Sequence, residues 1–176
     1  MRGARRRAGP SGGSPGLDGG VATLVGRLRS VHQKMVDAAL VGDGFDRMAE
    51  LAASEAQRPV AIVVPALDVA VVWPGQRPDA LGAVERFAEA RVENRQAEFP
   101  DGVDLLVPVV FGDTVVGSVA MLCGPESAPT EAGEFLHLAA TATATAIALE
   151  EARERESRPG GLIEAVLRGT SNRAPP

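Results

Sequence analysis

The chain has 176 residues, of which 45% are hydrophobic, and a formal net charge of −5. This length and composition predict one soluble globular domain with a core of its own, and no uninterrupted apolar run reaches the roughly 18 residues of a membrane span. A single cysteine excludes an intrachain disulfide framework and a multi-cysteine metal site.

Charge is unevenly distributed along the chain. Residues 1–20 hold four arginines against Asp18, a net of +3, so the remaining residues net −8. An acidic body argues against a nucleic-acid-binding surface, because phosphate contacts need clustered Lys and Arg. The basic start is followed by Gly, Pro and Ser instead of the apolar segment of a signal peptide. We therefore expect a cytoplasmic protein without membrane contact, and the Ala, Gly, Arg and Pro bias is typical of a GC-rich bacterial genome.

The first predicted element is a helix that follows a basic tail. Residues 1–18 lack periodicity and are predicted to be disordered. From Val21 onward, apolar residues are spaced alternately by three and four, a heptad seam of nearly three repeats. Gly42 is predicted to end this helix.

The middle of the chain predicts a helix, a β-hairpin and a further helix. Asp43 is interpreted as the N-cap of the second helix, and Asp46 suits the positive end of its dipole. Two β-branched runs, residues 59–64 and 68–73, predict an antiparallel hairpin. A helix then begins near Asp79, with an apolar face formed by Leu81, Val84, Phe87 and Ala88.

The last part of the chain predicts two strands and a long helix. Residues 105–122 form two apolar runs joined by a Gly112-Asp113 turn. A helix follows from about Thr130 to about Glu156 with two apolar stripes, one for the sheet and one free for a partner. The Ala-Thr alternation inside it also fits a strand, but the flanking segments favour a helix. Residues 162–169 predict a short helix within a flexible end, 158–176.

The two heptad seams predict a homodimer. One seam from each end of the chain can pair with its copy in a four-helix bundle about a two-fold axis. The residues assigned to this interface are Leu24, Leu28, Val31, Met35, Leu138, Ala142 and Leu149.

Three segments of the sequence carry a family resemblance: GFDRMAELAASEAQRPVAIVVP, DLLVPVVFGDTVVGSVAML and TEAGEFLHLAATATATAIALEEARERE. Together they resemble a GAF domain, and more closely the GAF-like N-terminal modules of PucR/CdaR-type bacterial transcription regulators. The resemblance implies an α/β (α+β) fold over residues 19–157, with a central antiparallel sheet flanked by helices and long terminal helices. It also implies a non-enzymatic sensor in signal transduction or transcription regulation.

The sequence departs from those regulators in one respect. They continue into a helix-turn-helix domain, whereas this sequence has none before Pro176, so a free-standing GAF protein and a fragment are both open. The expected partners are a second copy, a small-molecule effector and a DNA-binding partner protein. Sequence-specific nucleic-acid binding by this chain is not expected.

A ligand cavity is implied next to the first hairpin and the third helix. In a GAF fold this region borders the cavity, so the candidate ligand-binding residues are Trp73, Phe87, Arg91 and Phe99. The competing interpretation is that the aromatic residues are core packing and that Arg91 lies on a solvated face. A dimerisation or protein-interaction module with a filled cavity is the alternative function.

Enzymatic chemistry has one candidate residue, Cys123. Some GAF proteins resemble free methionine sulfoxide reductases, which need a second thiol that this chain lacks. Cys123 is followed by Gly124 and not by the histidine usual at bilin sites, and we expect it to be a packed, inert thiol. His137 is a weak candidate haem ligand, and the NKFDE-type motif of cyclic-nucleotide GAF domains is absent. We therefore predict no catalytic residue, no metal site and no cofactor.

Overall fold

The computed structural model describes residues 17–42, 44–75 and 79–157. The predicted disorder of the basic tail, the N-cap at Asp43 and the short helix at 162–169 fall wholly or largely outside these residues. The described elements are α1 Leu17–Val41, α2 Gly44–Ala56, β1 Val60–Val64, a 3₁₀ turn Pro65–Leu67, β2 Val69–Trp73, α3 Ala80–Val92, β3 Val103–Phe111, β4 Thr114–Leu122 and α4 Ala132–Ser157. Their order confirms the predicted succession of helices and strands.

The four strands form one antiparallel sheet in the order β2-β1-β4-β3. The hairpin β1–β2 turns through Asp68, whose φ is +53°, and the hairpin β3–β4 turns through Gly112, whose φ is +61°. Strands β1 and β4 are the central strands, each with two neighbours, whereas β2 and β3 are edge strands.

Helices cover both faces of the sheet, and the alternation of side chains along β1 separates two cores. Val60, Ile62 and Val64 point into the larger core with α1, α2 and α4. Ala61 and Val63 point into the smaller core with α3. All five residues of β1 are therefore buried, as expected for a strand covered on both faces.

The three helices on the larger face are tied together by Arg27 of α1. Its guanidinium contacts Glu55 of α2 at 2.6 Å and Glu131, just before α4, at 3.2 Å. It also lies 5.3 Å from the ring centroid of Phe135. At the other end of α1, Arg153 Nη2 donates a hydrogen bond to the carbonyl of Leu40 at 3.0 Å. Helices α1 and α4 therefore run parallel to each other.

This packing corrects the predicted dimer interface. Val31, Met35 and Ala142 are buried within the chain itself, in the larger core. Leu24, Leu28 and Leu138 are partly buried and pack against the same core, and Leu149 is partly buried. The heptad spacing arises because α1 and α4 each present a stripe to helices of the same chain. Val31, Met35 and Ala142 are therefore not available to a second copy, whereas contact between copies through Leu24, Leu28, Leu138 and Leu149 stays a prediction.

Helix α4 is also long and apolar enough to cross a membrane by length and composition alone, with a mean hydropathy of 1.2 over its most apolar stretch. Alanines contribute much of this average, and polar residues lie between them. The sequence therefore contains no uninterrupted apolar run of this length. Phe135, Leu136, Thr143 and Ile147 are buried in the fold. Packing in the domain core thus explains why this helix is apolar.

Substitutions at two glycines, Gly44 and Gly26, can test the close approach between the end of α1 and the start of α2. A Cβ on Gly44 would lie 2.5 Å from the carbonyl oxygen of Ala38, whereas a Cβ on Gly26, inside α1, meets no atom within 4 Å. We expect Gly44→Ala to lower the free energy of unfolding by about 1–3 kcal/mol, because backbone must move. Gly26→Ala should raise it by about 1 kcal/mol through helix propensity. Urea denaturation measures both, and a Gly44→Ala variant as stable as the wild type would contradict this close approach.

Candidate ligand-binding site

A cavity of about 220 Å³ lies on the α3 side of the β3–β4 hairpin. Phe87 and Arg91 are one turn apart on α3 and so share one face of that helix. Phe99 comes from the segment between α3 and β3, and the remaining side chains come from the two strands. The lining consists of Phe87, Arg91, Phe99, Leu106, Pro108, Val115 and Ser118.

Three of the four predicted ligand-binding residues therefore meet in one place. Trp73 does not belong to this group. It lies at the end of the edge strand β2, with 41% of its surface exposed, and lines a separate groove with Arg58 and Pro59. Its assignment to the cavity was wrong, because β2 lies on the far side of β1 from the β3–β4 hairpin.

Ser118 is the lining residue that the sequence analysis missed. It is 1% exposed, and its hydroxyl has no hydrogen-bond partner within the described part of the chain. Ser118 lies opposite Pro108 on β3 and Val63 on β1. A serine in the middle of an apolar strand was the available signal, but only the sheet register shows that it lies under α3.

An irregularity in β4 brings two of its residues into the cavity. Val109 pairs with Gly117, whereas the next residue, Val110, pairs with Val115. The extra residue, Val116, packs against the larger core. Strand residues three apart normally point to opposite faces, but this bulge resets the alternation, so Val115 and Ser118 line the same cavity.

Gly117 itself is required by the approach of β4 to β1. A Cβ at this position would lie 2.4 Å from the carbonyl oxygen of Val63. No larger residue fits there without displacing backbone, so the glycine seen in the sequence serves close strand packing.

The charge of the cavity is positive. Arg91 is the one charged residue among the described residues of its lining, and because Arg91 is exposed, we assign its guanidinium to the mouth. No ion pair to Arg91 occurs among the residues that the structure describes. The cavity therefore combines an apolar wall, a cation at the entrance and a buried hydroxyl without a partner.

A second polar cluster lies at the opposite end of the sheet. Arg58, which is 8% exposed, forms an ion pair with Asp104. The thiol of Cys123 donates a hydrogen bond to Asp104 Oδ1 at 2.9 Å. That hydrogen bond and then Arg58 lower the pKa of the Asp104 carboxyl, and the same carboxylate raises the pKa of the Cys123 thiol.

Cys123 is exposed, which corrects the expectation of a packed thiol. Strand β4 ends at Leu122, so the cysteine falls just outside the covered sheet. A raised pKa keeps the thiol protonated at neutral pH, and a protonated thiol is a poor nucleophile. Inertness of Cys123 stays a prediction, and its physical basis is now the neighbouring carboxylate of Asp104 instead of burial.

No family model and no curated protein matches the chain. Among solved structures, it is similar to the GAF domain of an Acinetobacter phosphoenolpyruvate-protein phosphotransferase, with 18% sequence identity and a TM-score of 0.50. The match covers 74% of this chain and 95% of that domain. The chain has a GAF-like fold. In this GAF-like domain the cavity lies between α3 and the sheet, on the face opposite the terminal helices.

The Asp104–Cys123 contact can be tested by alkylation. Replacing Asp104 with Asn removes the negative charge beside the thiol while Arg58 remains, so the pKa of Cys123 should fall. We expect Asp104→Asn to react several-fold faster with iodoacetamide, a neutral reagent, at mildly alkaline pH. Asp113→Asn, in the exposed β3–β4 turn, is the control and should react at the wild-type rate. An unchanged or slower rate in Asp104→Asn would refute the assignment.

Proposed function

We propose that this GAF-like domain is a non-enzymatic regulatory module that binds a small molecule in the cavity lined by Phe87, Arg91 and Ser118. The observation that carries the proposal is that Ser118 lines an open cavity while its buried hydroxyl has no hydrogen-bond partner among the described residues. Buried polar groups in native proteins are nearly always hydrogen-bonded, so an exception marks a place where a ligand can supply the bond.

The cavity volume restricts the ligand. At the liquid density of water, about 30 Å³ per molecule, 220 Å³ holds about seven waters. The matching ligand has on the order of seven to ten non-hydrogen atoms. Cyclic nucleotides, haem and bilins are all much larger, so the size favours a small metabolite.

The same strand links the cavity to the terminal helices. Ser118 faces the cavity side, and the next residue, Val119, is fully buried in the core beneath α1, α2 and α4. A ligand that holds the β3–β4 hairpin in one position therefore changes the surface on which α4 packs. Signalling then proceeds as a population shift between two packings of the terminal helices.

We further propose that the module acts as a homodimer in the bacterial cytoplasm and regulates transcription as PucR/CdaR-type modules do. The support for dimerisation is the outward side of α1, where Val25 and Leu40 are 39% and 53% exposed. The net charge of −5 does not suit phosphate contacts, so regulation of DNA would pass through a DNA-binding partner protein. The alternative, a ligand-free interaction module, predicts a cavity filled by side chains, and the open volume favours ligand binding.

A cavity-filling substitution tests ligand binding. Val115→Phe places a ring in the cavity, whereas Val110→Phe changes its cross-strand neighbour, which lies outside the lining. We expect benzoate, 4-hydroxybenzoate or 4-hydroxybenzamide at millimolar concentration to raise the melting temperature of the wild type and of Val110→Phe, but not of Val115→Phe. Equal stabilisation of all three proteins would place the ligand elsewhere. No stabilisation of the wild type would favour the ligand-free module.

Sedimentation equilibrium tests the dimer. Leu40→Glu puts a charge on the outward face of α1, and Val110→Glu puts one on the edge strand β3 at similar exposure. We expect the wild type and Val110→Glu to sediment as dimers at micromolar concentration and Leu40→Glu to shift towards the monomer. A monomeric wild type at high micromolar concentration would refute the dimer, and a fully dimeric Leu40→Glu would place the interface elsewhere.

A further inference from the structure

We propose that the ligand is a small aromatic monocarboxylate that carries a hydroxyl or carbonyl group at the end opposite its carboxylate. This inference rests on the proposed function and adds to it the chemical class of the effector. It follows from the three different surfaces that the cavity offers: a cation at the mouth, an apolar wall and a hydroxyl at the buried end.

The positive charge at the mouth of the cavity favours a ligand with an anionic group. Within the described part of the chain, Arg91 is the one charged residue of the lining and no lining residue is acidic. A guanidinium binds a carboxylate through two parallel hydrogen bonds, a geometry that lysine and neutral donors cannot reproduce. A single positive charge balances a monocarboxylate, whereas a phosphate dianion would bring a second, uncompensated negative charge against apolar walls.

The wall selects a flat apolar body. Phe87 from the helix, Phe99 from the connecting segment, and Leu106 and Pro108 from β3 supply ring and aliphatic surfaces. Aromatic ligands gain from offset or edge-to-face contacts with such rings, beyond the area that they bury. A benzene ring with one substituent at each end has ten non-hydrogen atoms, the upper end of the size that the volume sets.

The buried end selects a polar substituent. Ser118 is 1% exposed, so neither bulk water nor the described residues satisfy its hydroxyl. A serine hydroxyl both donates and accepts, and therefore pairs with a hydroxyl or a carbonyl. Since Arg91 is at the mouth and Ser118 at the base, the carboxylate and this second group lie at opposite ends of the ligand.

A comparison of three probes with three variants tests both ends separately. The probes are 4-hydroxybenzoate, 4-hydroxybenzamide, which lacks the charge, and benzoate, which lacks the hydroxyl. We expect calorimetry on the full chain to show that the wild type binds 4-hydroxybenzoate on the order of tenfold more tightly than the amide, and several-fold more tightly than benzoate. Arg91→Gln should remove the first preference only, and Ser118→Ala the second only. Arg86→Gln, an exposed position on the same helix outside the lining, should retain both preferences.

Each other outcome is decisive. If the amide binds as tightly as the acid, the anion selectivity is wrong while a ligand cavity remains. If benzoate and 4-hydroxybenzoate bind equally, Ser118 has no part in recognition. If no probe binds to the wild type, this inference fails, whereas the proposed function fails only if small metabolites of other classes also leave the melting temperature of the wild type unchanged. Ser118→Ala removes an unpaired buried hydroxyl and should not lower the melting temperature of the free protein, so a lost preference in this variant cannot be ascribed to unfolding.

Discussion

The central pair of strands, β1 and β4, is covered on both faces, and the other features of the domain follow from this constraint. Because successive side chains of a strand point to opposite faces, each of these strands must supply small or branched apolar residues to two cores at once. Gly117 lets their backbones approach where a Cβ would overlap the Val63 carbonyl. The terminal helices then pack on one face of the sheet. Arg27 of α1 links them through ion pairs with Glu55 of α2 and with Glu131, just before α4.

The cover on the second face is incomplete, and the cavity lies where it ends. Strand β1 pairs with β4 only from Ser118 to Met121, so the tip of the β3–β4 hairpin extends beyond the centre of the sheet. Helix α3 has thirteen residues, about 20 Å in length, and packs its buried residues against the smaller core. Its last turn carries Arg91 past that core. The open volume is thus a consequence of a short helix on a sheet whose strands differ in length.

The sequence was sufficient for most of the fold because the periodicity of its elements is strong. The glycines at positions 42 and 112 and the prolines at 59 and 74 mark the ends of the periodic segments, so element types and order could be predicted and were confirmed. Phe87 and Arg91 were grouped because the resemblance to a GAF domain implied a cavity in that region, and the structure places both in one lining. Trp73 was misassigned because sheet order cannot be read from local pattern. Val31, Met35 and Ala142 were assigned to a dimer interface but are buried within the chain, because a 3-4 spacing shows that a stripe is buried and not which chain buries it.

Two residues show where local pattern stops being informative. Ser118 is recognisable as a functional candidate only after the sheet register places its hydroxyl at a cavity and the absence of a partner is visible. Cys123 is one residue beyond the end of β4, and this single step separates a core thiol from an exposed thiol beside a carboxylate. In both cases the deciding quantity is the set of atoms around one side chain, which depends on segments distant in sequence.

If the domain is the proposed sensor, the size of the cavity also limits how it can switch. Ligands yield between about 0.3 and 1.5 kcal/mol of binding free energy per non-hydrogen atom, so a ten-atom effector supplies between about 3 and 15 kcal/mol, with typical ligands near the lower end. Reversing a two-state equilibrium from 1:99 to 99:1 requires a difference of about 5.5 kcal/mol in binding between the two states. Only the part of the binding energy that differs between the states contributes. A small effector can therefore govern this domain only if the two packings of α1 and α4 are nearly balanced without it. The ion pairs of Arg27 with Glu55 and Glu131 are consistent with such a balance, since solvent-exposed ion pairs contribute little to stability.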